Sequence, residues 1–145
     1  SNNVLNSLIV ASVKFSFILN IGCPKNYEPA KFLINWAKKN NKKINIFNDP
    51  KKAAKNADVI FSDKVISLND KVDKIKKIKD FKNFRINSKL MSVAKKDVIF
   101  LHCLPRGSEV SESVFSGKQS KVWQQALNRV YVQKSILLYC FGKLR

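Results

Sequence analysis

The residues best suited to chemistry are His102-Cys103-Leu104-Pro105. An imidazole and a thiol end an apolar run ahead of a proline-bent loop, where α/β proteins tend to build sites. A nucleophilic cysteine needs a base within reach. Neighbours on a strand point to opposite faces, so His102 is not placed to activate Cys103. A buried strand end with an incidental thiol fits the spacing as well. Asp63 follows a second apolar run, Val59-Ile60-Phe61. A carboxylate there suits an ammonium group, and equally suits a turn. The loop Ser67-Leu68-Asn69 can offer a hydroxyl and backbone groups, or simply connect. Asn2 and Asn3 can cap a helix or aim amides into the same crevice. Arg129, one of four arginines, can pair with a carboxylate or bind a phosphate. Gly22, Gly107, Gly117 and Gly142 fit no phosphate-binding glycine loop. One histidine and three scattered cysteines (Cys23, Cys103, Cys140) form no metal-ligand spacing, so no metal and no cofactor is expected.

These residues need elements to hold them, and the chain reads as helices alternating with strands. A helix runs from Asn2 or Asn3 to about Lys14, with Val4, Leu5, Leu8, Ile9 and Val13 near helical spacing. Residues 15–23 alternate and are rich in Phe and Ile, as a strand does. Pro29 suits the first turn of a helix to about Asn40, expected to bury Phe32, Leu33 and Trp36. A strand over 44–48 precedes Asp49-Pro50, an N-cap carboxylate followed by proline, and a short helix to Asn56. Residues 58–62 form a third strand. Val72, Ile75, Ile78, Phe81 and Phe84 recur every three residues, predicting an amphipathic helix over 71–84 with a basic outer face. A helix over 88–95, a strand over 98–103 and a long helix over 120–141, closed by Gly142, complete the pattern.

Alternating strands and helices predict a Rossmann-like, doubly wound parallel sheet with helices on both faces. Ligands in such sheets sit beyond the carboxyl ends of the strands, which gathers the loops after Ser62 and His102 with the helix start at Asn3. The chain opens on a helix where a doubly wound domain has a mid-sheet strand. The expectation is therefore a domain lacking its first strand, belonging to a longer polypeptide.

At 145 residues, 45% hydrophobic and 10% aromatic, the chain is one domain's worth and can bury a core. Its net charge is +18, which raises nucleic acid or an acidic membrane as partners. The cations, however, are 24 Lys and 4 Arg, alongside 15 Asn and 13 Ile. A coding bias yields that mix, whereas a binder of phosphates and bases favours Arg. Nucleic acid is not the expected partner. No apolar run approaches the ~20 residues of a membrane helix, and the sparse cysteines fit a reducing cytoplasm.

In order along the chain, Asn2-Asn3-Val4-Leu5-Asn6-Ser7, Gly22-Cys23-Pro24-Lys25-Asn26-Tyr27-Glu28-Pro29, Asn48-Asp49-Pro50 with Ala53-Ala54, Asp63 to Asn69, Phe100 to Arg106 and Ala126-Leu127-Asn128-Arg129 resemble the motifs of ornithine carbamoyltransferases. His-Cys-Leu-Pro is the most specific piece, since aspartate carbamoyltransferases usually carry His-Pro-Leu-Pro. The resemblance implies transfer of a carbamoyl group from carbamoyl phosphate to the δ-amine of L-ornithine, giving L-citrulline and phosphate. By that resemblance Asn3, Asp63, Ser67 and Leu68 hold the amino acid, and Cys103 sits beside the reacting amine. Leu104 offers its carbonyl to the carbamoyl NH2, Arg129 helps hold carbamoyl phosphate, and the full-length enzyme is a homotrimer. Residues 1–145 would then be the ornithine-binding domain, expected to have no turnover alone, because the family's carbamoyl-phosphate domain and its Ser-Thr-Arg-Thr loop are absent.

The departures are Val65 for a family Trp, Leu68 for Met, Asn69 for Gly, Leu127 for Glu and Gln125 for another acid. They leave open a non-catalytic amino-acid-binding remnant, or a transcarbamoylase for another amine such as putrescine.

Overall fold

The computed structural model describes residues 2–40, 43–66 and 73–143. Helix α1 (Asn3–Phe15) starts at Asn2, whose side-chain oxygen accepts from Leu5 N at 2.8 Å, and ends at Ser16, which is left-handed (φ 55°). Strand β1 (Leu19–Gly22) crosses through α2 (Lys31–Asn40) to β2 (Ile44–Phe47), paired in parallel with Leu19 opposite Ile44 and Gly22 opposite Phe47. Asp49 caps α3 (Pro50–Ala54), accepting from Lys51 N at 2.9 Å, with Pro50 in the first turn as its fixed φ allows. Strand β3 (Val59–Ser62) then pairs in parallel with β4 (Ile99–His102), Ser62 lying opposite His102. Between them run α4 (Lys74–Phe81), a 3-10 turn (Lys82–Phe84) and α5 (Ser88–Met91). After β4 come α6 (Glu112–Phe115) and the long α7 (Val122–Cys140).

The strands are parallel and helix-connected, as expected, but they form two two-stranded sheets, β1-β2 and β3-β4. In a doubly wound order the first strand lies between the pair that follows it and the pair across the switch point. With no strand there among the described residues, two ladders result. Each has its own core. Ile9, Ile21, Ile34, Ala37 and Ile44 surround β1-β2, and Ile60, Ile86, Val98, Phe100, Val110 and Val122 surround β3-β4. The far edge of β4 is covered by residues 119–121, since Phe100 N donates to Gln119 O and Lys121 N to Phe100 O.

Three expectations are corrected. Helix α2 buries Ile34 and Ala37, while Phe32 is 77% and Trp36 40% exposed; Leu33 is half-buried. Ile34 and Ala37 join Ile9 of α1 in the core around β1-β2, and the larger rings of Phe32 and Trp36 lie on the outer side. Helix α4 buries no residue, and Ile75 is 80% exposed. It is held instead at its end, where the Tyr27 and Phe81 ring centroids lie 4.9 Å apart and Tyr27 Oη donates to Asp80 Oδ2 at 2.9 Å. The helix expected over 88–95 stops at Met91. Val72 lies outside the described residues. Gly142 does close α7: at φ 65° it donates to Tyr139 O, and Lys143 N donates to Leu138 O, the Schellman pattern.

Candidate functional site

The carboxyl ends of β3 and β4 emerge side by side, and the residue after each strand is the one that faces its neighbour. The Cys103 thiol donates to Asp63 Oδ1 at 2.8 Å, and the same oxygen accepts from Lys64 N at 2.7 Å. Burial, then the hydrogen bond to the carboxylate, pushes the Cys103 thiol up to about 11. Cys103 is therefore a neutral donor at physiological pH and not a thiolate nucleophile.

His102 points the other way, as strand alternation requires. Its ring is buried, and Nδ1 accepts from Leu104 N at 2.9 Å. That bond leaves the proton on Nε2, which faces Glu109 Oε1 at 2.9 Å. Glu109 is itself buried and also accepts from Gly107 N at 2.5 Å and Val65 N at 3.5 Å. Burial would raise its carboxyl, but these donors, His102 first among them, hold it below the ordinary carboxylate value. One carboxylate thus fastens the loops after β3 and β4 to the end of β4. A Cβ on Gly107 would stand 2.7 Å from Glu109 Oε2, so any larger residue there makes the carboxylate or the loop shift.

The remaining N–H at the strand end is taken by α7: His102 N donates to Gln125 Oε1 at 3.0 Å. Leu104 turns the chain at φ 52°, an uncommon backbone for a residue with a side chain, and is followed by a cis bond to Pro105. Arg106, near enough in sequence to meet an anion, is committed elsewhere. It pairs with Glu112 and lies 4.8 Å above the Phe115 ring.

The structure thus brings together Asp63, Cys103 and Leu104. Asn3 is the exposed first residue of α1, and Arg129 is exposed on α7. Among the described residues, no hydrogen bond or ion pair joins either to that group. Ser67 and Leu68 lie outside the described residues. Sequence reasoning missed Glu109, and missed the parts that Gly107 and Gln125 play beside His102. The only local hint was an acid two residues after a glycine in a chain with 10 acids against 28 cations.

Two of the sequence motifs prove structural. Asn48 donates to Cys23 O and to Glu28 Oε1, both at 3.1 Å, which ties the turn after β1 to the end of β2. Cys23 is buried there, and burial, then Glu28, pushes its thiol up to about 11. Among the described residues no three His, Cys, Asp or Glu side chains gather as a metal site. No described helix is long and apolar enough to cross a membrane.

Residues 1–140 match the family described as aspartate/ornithine carbamoyltransferase, Asp/Orn binding domain. An ornithine carbamoyltransferase of Rhodopseudomonas palustris is 43% identical over 143 residues, 97% of this chain and 46% of that relative. One of Methanococcus maripaludis is 44% identical over 148 residues, 97% of this chain and 49% of that relative. Among solved structures, the ornithine carbamoyltransferase from Pyrococcus furiosus superposes with a TM-score of 0.87 at 36% identity, covering 97% of this chain and 47% of that one. The anabolic enzyme from Campylobacter jejuni gives 0.88 at 37%, covering 96% and 48%. The chain spans about half the length of these relatives. The chain, a Rossmann-like α/β domain, belongs to the aspartate/ornithine carbamoyltransferase family.

Proposed function

We propose that residues 1–145, including the long helix over 120–141, are the ornithine-binding half of an ornithine carbamoyltransferase. The whole enzyme transfers the carbamoyl group of carbamoyl phosphate to the δ-amine of L-ornithine, giving L-citrulline and phosphate. The observation that carries this reading is the neutral Cys103 thiol held 2.8 Å from the Asp63 carboxylate beyond the strand ends. A carboxylate there suits the substrate's ammonium group. A neutral thiol packs beside the δ-amine without forming a covalent bond to the carbonyl carbon. Asn3, Ser67 and Leu68 complete the grip on the amino acid. Leu104, turned at φ 52°, offers its carbonyl to the carbamoyl NH2, and Arg129 meets the carbamoyl phosphate. The enzyme contributes by aiming the amine and stabilising the charge that develops as phosphate leaves, and it calls for no metal or cofactor.

The working enzyme is read as a cytoplasmic homotrimer, and this chain alone as inactive. The test joins the half of the Methanococcus maripaludis relative that this chain does not match to the chain itself. Citrulline formation from carbamoyl phosphate and L-ornithine, abolished by Asp63→Asn, is the expected result. Preference for putrescine would favour the second reading, which rests on the altered loop, with Leu68 for the family's Met, Asn69 for Gly and Val65 for Trp. Ornithine binding without turnover in that polypeptide would favour a non-catalytic remnant.

A further inference from the structure

Tyr27 and Asp80 stand 53 residues apart in the chain, and they serve different ladders. Tyr27 ends the 3-10 turn (Lys25–Tyr27) that follows β1, whereas Asp80 is on α4, in the crossover from β3 to β4. The phenol donates to Asp80 Oδ2 at 2.9 Å, and its ring meets Phe81 edge-on at 4.9 Å. Phe84, 6.0 Å from Phe81, extends the cluster. A Cβ on Gly22 would stand 3.9 Å from Phe84 Cε1, so the cluster reaches the last residue of β1. Tyr27, Asp80, Phe81 and Phe84 are all half-buried.

The two partners differ in how firmly they are held. Tyr27 has a stiff base: its N–H donates to Pro24 O at 2.8 Å, and Asn48 ties Cys23 O to Glu28 Oε1 across the turn. Helix α4 buries no residue, and Ile75 and Ile78 are exposed. Short helices are held by packing more than by propensity, so the contacts at Asp80 and Phe81 place this one. The segment that follows α4 runs straight to the site. Ile86 N donates to Glu109 O at 2.8 Å, and Ser111 N donates to Ile86 O at 2.9 Å. The Glu109 side chain in turn meets His102 Nε2 and accepts from Val65 N and Gly107 N. We propose that Tyr27 is a positioning residue for the amino-acid subsite. Through Asp80 and Phe81 it fixes residues 74–86, and through Ile86 and Glu109 it fixes the strand ends that carry Asp63 and Cys103. Tyr27 itself touches no substrate. The inference rests on the ornithine-binding reading given above and adds a residue to it.

The test uses the joined polypeptide described above, and this chain alone. Tyr27→Phe keeps the ring and removes the donor. In the joined polypeptide it should raise KM for ornithine about fivefold, the size of one lost hydrogen bond, and leave KM for carbamoyl phosphate within about twofold of the parent. Asp80→Ala should do the same, whereas Asp80→Asn keeps an acceptor and should stay within about twofold of the parent for both substrates. Tyr27→Phe with Asp80→Ala should be no worse than either alone, as a pair acting through one contact requires. Where the parent binds ornithine without turnover, the Kd for ornithine takes the place of KM. In the chain alone, Tyr27→Phe should quicken hydrogen exchange over 64–66 and 107–110 as well as over 74–84, a readout that needs no turnover. An unchanged KM for ornithine in both Tyr27→Phe and Asp80→Ala overturns the proposal and leaves the reaction standing. So does a fall in kcat alone, or a rise in both KM values together, which marks a contact that serves stability only. Exchange that quickens over 74–84 and nowhere else also overturns it. A parent polypeptide that neither binds ornithine nor forms citrulline overturns the reading of the site, and this inference with it.

Discussion

Glu109 and His102, both buried, meet at 2.9 Å, and the same carboxylate holds Gly107 and Val65 by their backbone N–H groups. The pair is therefore a fastening for three segments at once. Glu109→Ala strips the partner from the His102 Nε2 proton and from Gly107 N inside the protein. Leaving buried donors unpaired costs about 2–3 kcal/mol. Glu109→Gln keeps an acceptor and should cost less than half of that. Urea unfolding followed by circular dichroism measures both, and equal midpoints for Glu109→Ala and the parent would show the fastening to be idle.

Gly107 gives an independent handle on the same carboxylate. An alanine Cβ would sit 2.7 Å from Glu109 Oε2, so the carboxylate or the loop must move. Overpacking of this kind costs about 1–3 kcal/mol. Because the strain falls on Glu109, Gly107→Ala should cost little once Glu109 is already alanine. A double-mutant cycle reads that non-additivity directly.

How much of this was legible follows from where each interaction lies along the chain. The caps Asn2 and Asp49 act within three residues of themselves, and a sequence displays them. The opposed directions of His102 and Cys103 follow from strand alternation, and so were legible too. The buried face of α2 was not. Choosing Phe32 and Trp36 weighs side-chain size, whereas the face that is buried is the one carrying Ile34 and Ala37 into the core shared with Ile9 of α1, a property of the pair. Glu109 was not legible either. Beyond the glycine two residues before it, nothing around Glu109 marks a buried acid, because its other partners arrive through space from the ends of β3 and β4. The single parallel sheet split in two for a related reason: strand count is local, but a continuous ladder needs a strand that the described residues do not supply.

The Asp63 carboxylate raises the Cys103 thiol through its hydrogen bond and its charge, after burial. Asp63→Asn removes the charge and keeps an acceptor. The thiol should then ionise at lower pH, and its alkylation at pH 8.5 should accelerate several-fold. The measurement is the pH profile of Cys103 labelling. A profile that does not move would make burial the sole cause and remove Asp63 from contact with the thiol in solution.

Stability should fall at both ends of the pH scale, for different groups. Cys23 and Cys103 have folded values raised to about 11 from an ordinary 9.0, so the unfolded chain ionises first. Their contribution is whole below pH 9 and is lost as pH rises towards 11. Glu109 is shifted downward, so its contribution is present above its ordinary 4.5 and is lost as pH falls below that towards the folded value. Thermal unfolding across pH 3 to 11 should show both declines. The Cys23→Ala/Cys103→Ala variant should lose the alkaline decline alone, and Glu109→Gln should blunt the acid one.

Gln125 separates α7's hold on the site from its hold on the core. Its side-chain oxygen is the acceptor for His102 N at 3.0 Å, at the last residue of β4. Gln125→Leu leaves that N–H without a partner and should cost about 1–2 kcal/mol. Gln125→Glu keeps an acceptor and should stay within about 0.5 kcal/mol of the parent, a rescue that lost packing alone would not show. In a polypeptide that forms citrulline, displacing the end of β4 moves Cys103 and Leu104, so Gln125→Leu should lower kcat more than it raises KM for ornithine. An increase confined to KM would place Gln125 in ornithine binding, with no part in setting the strand end.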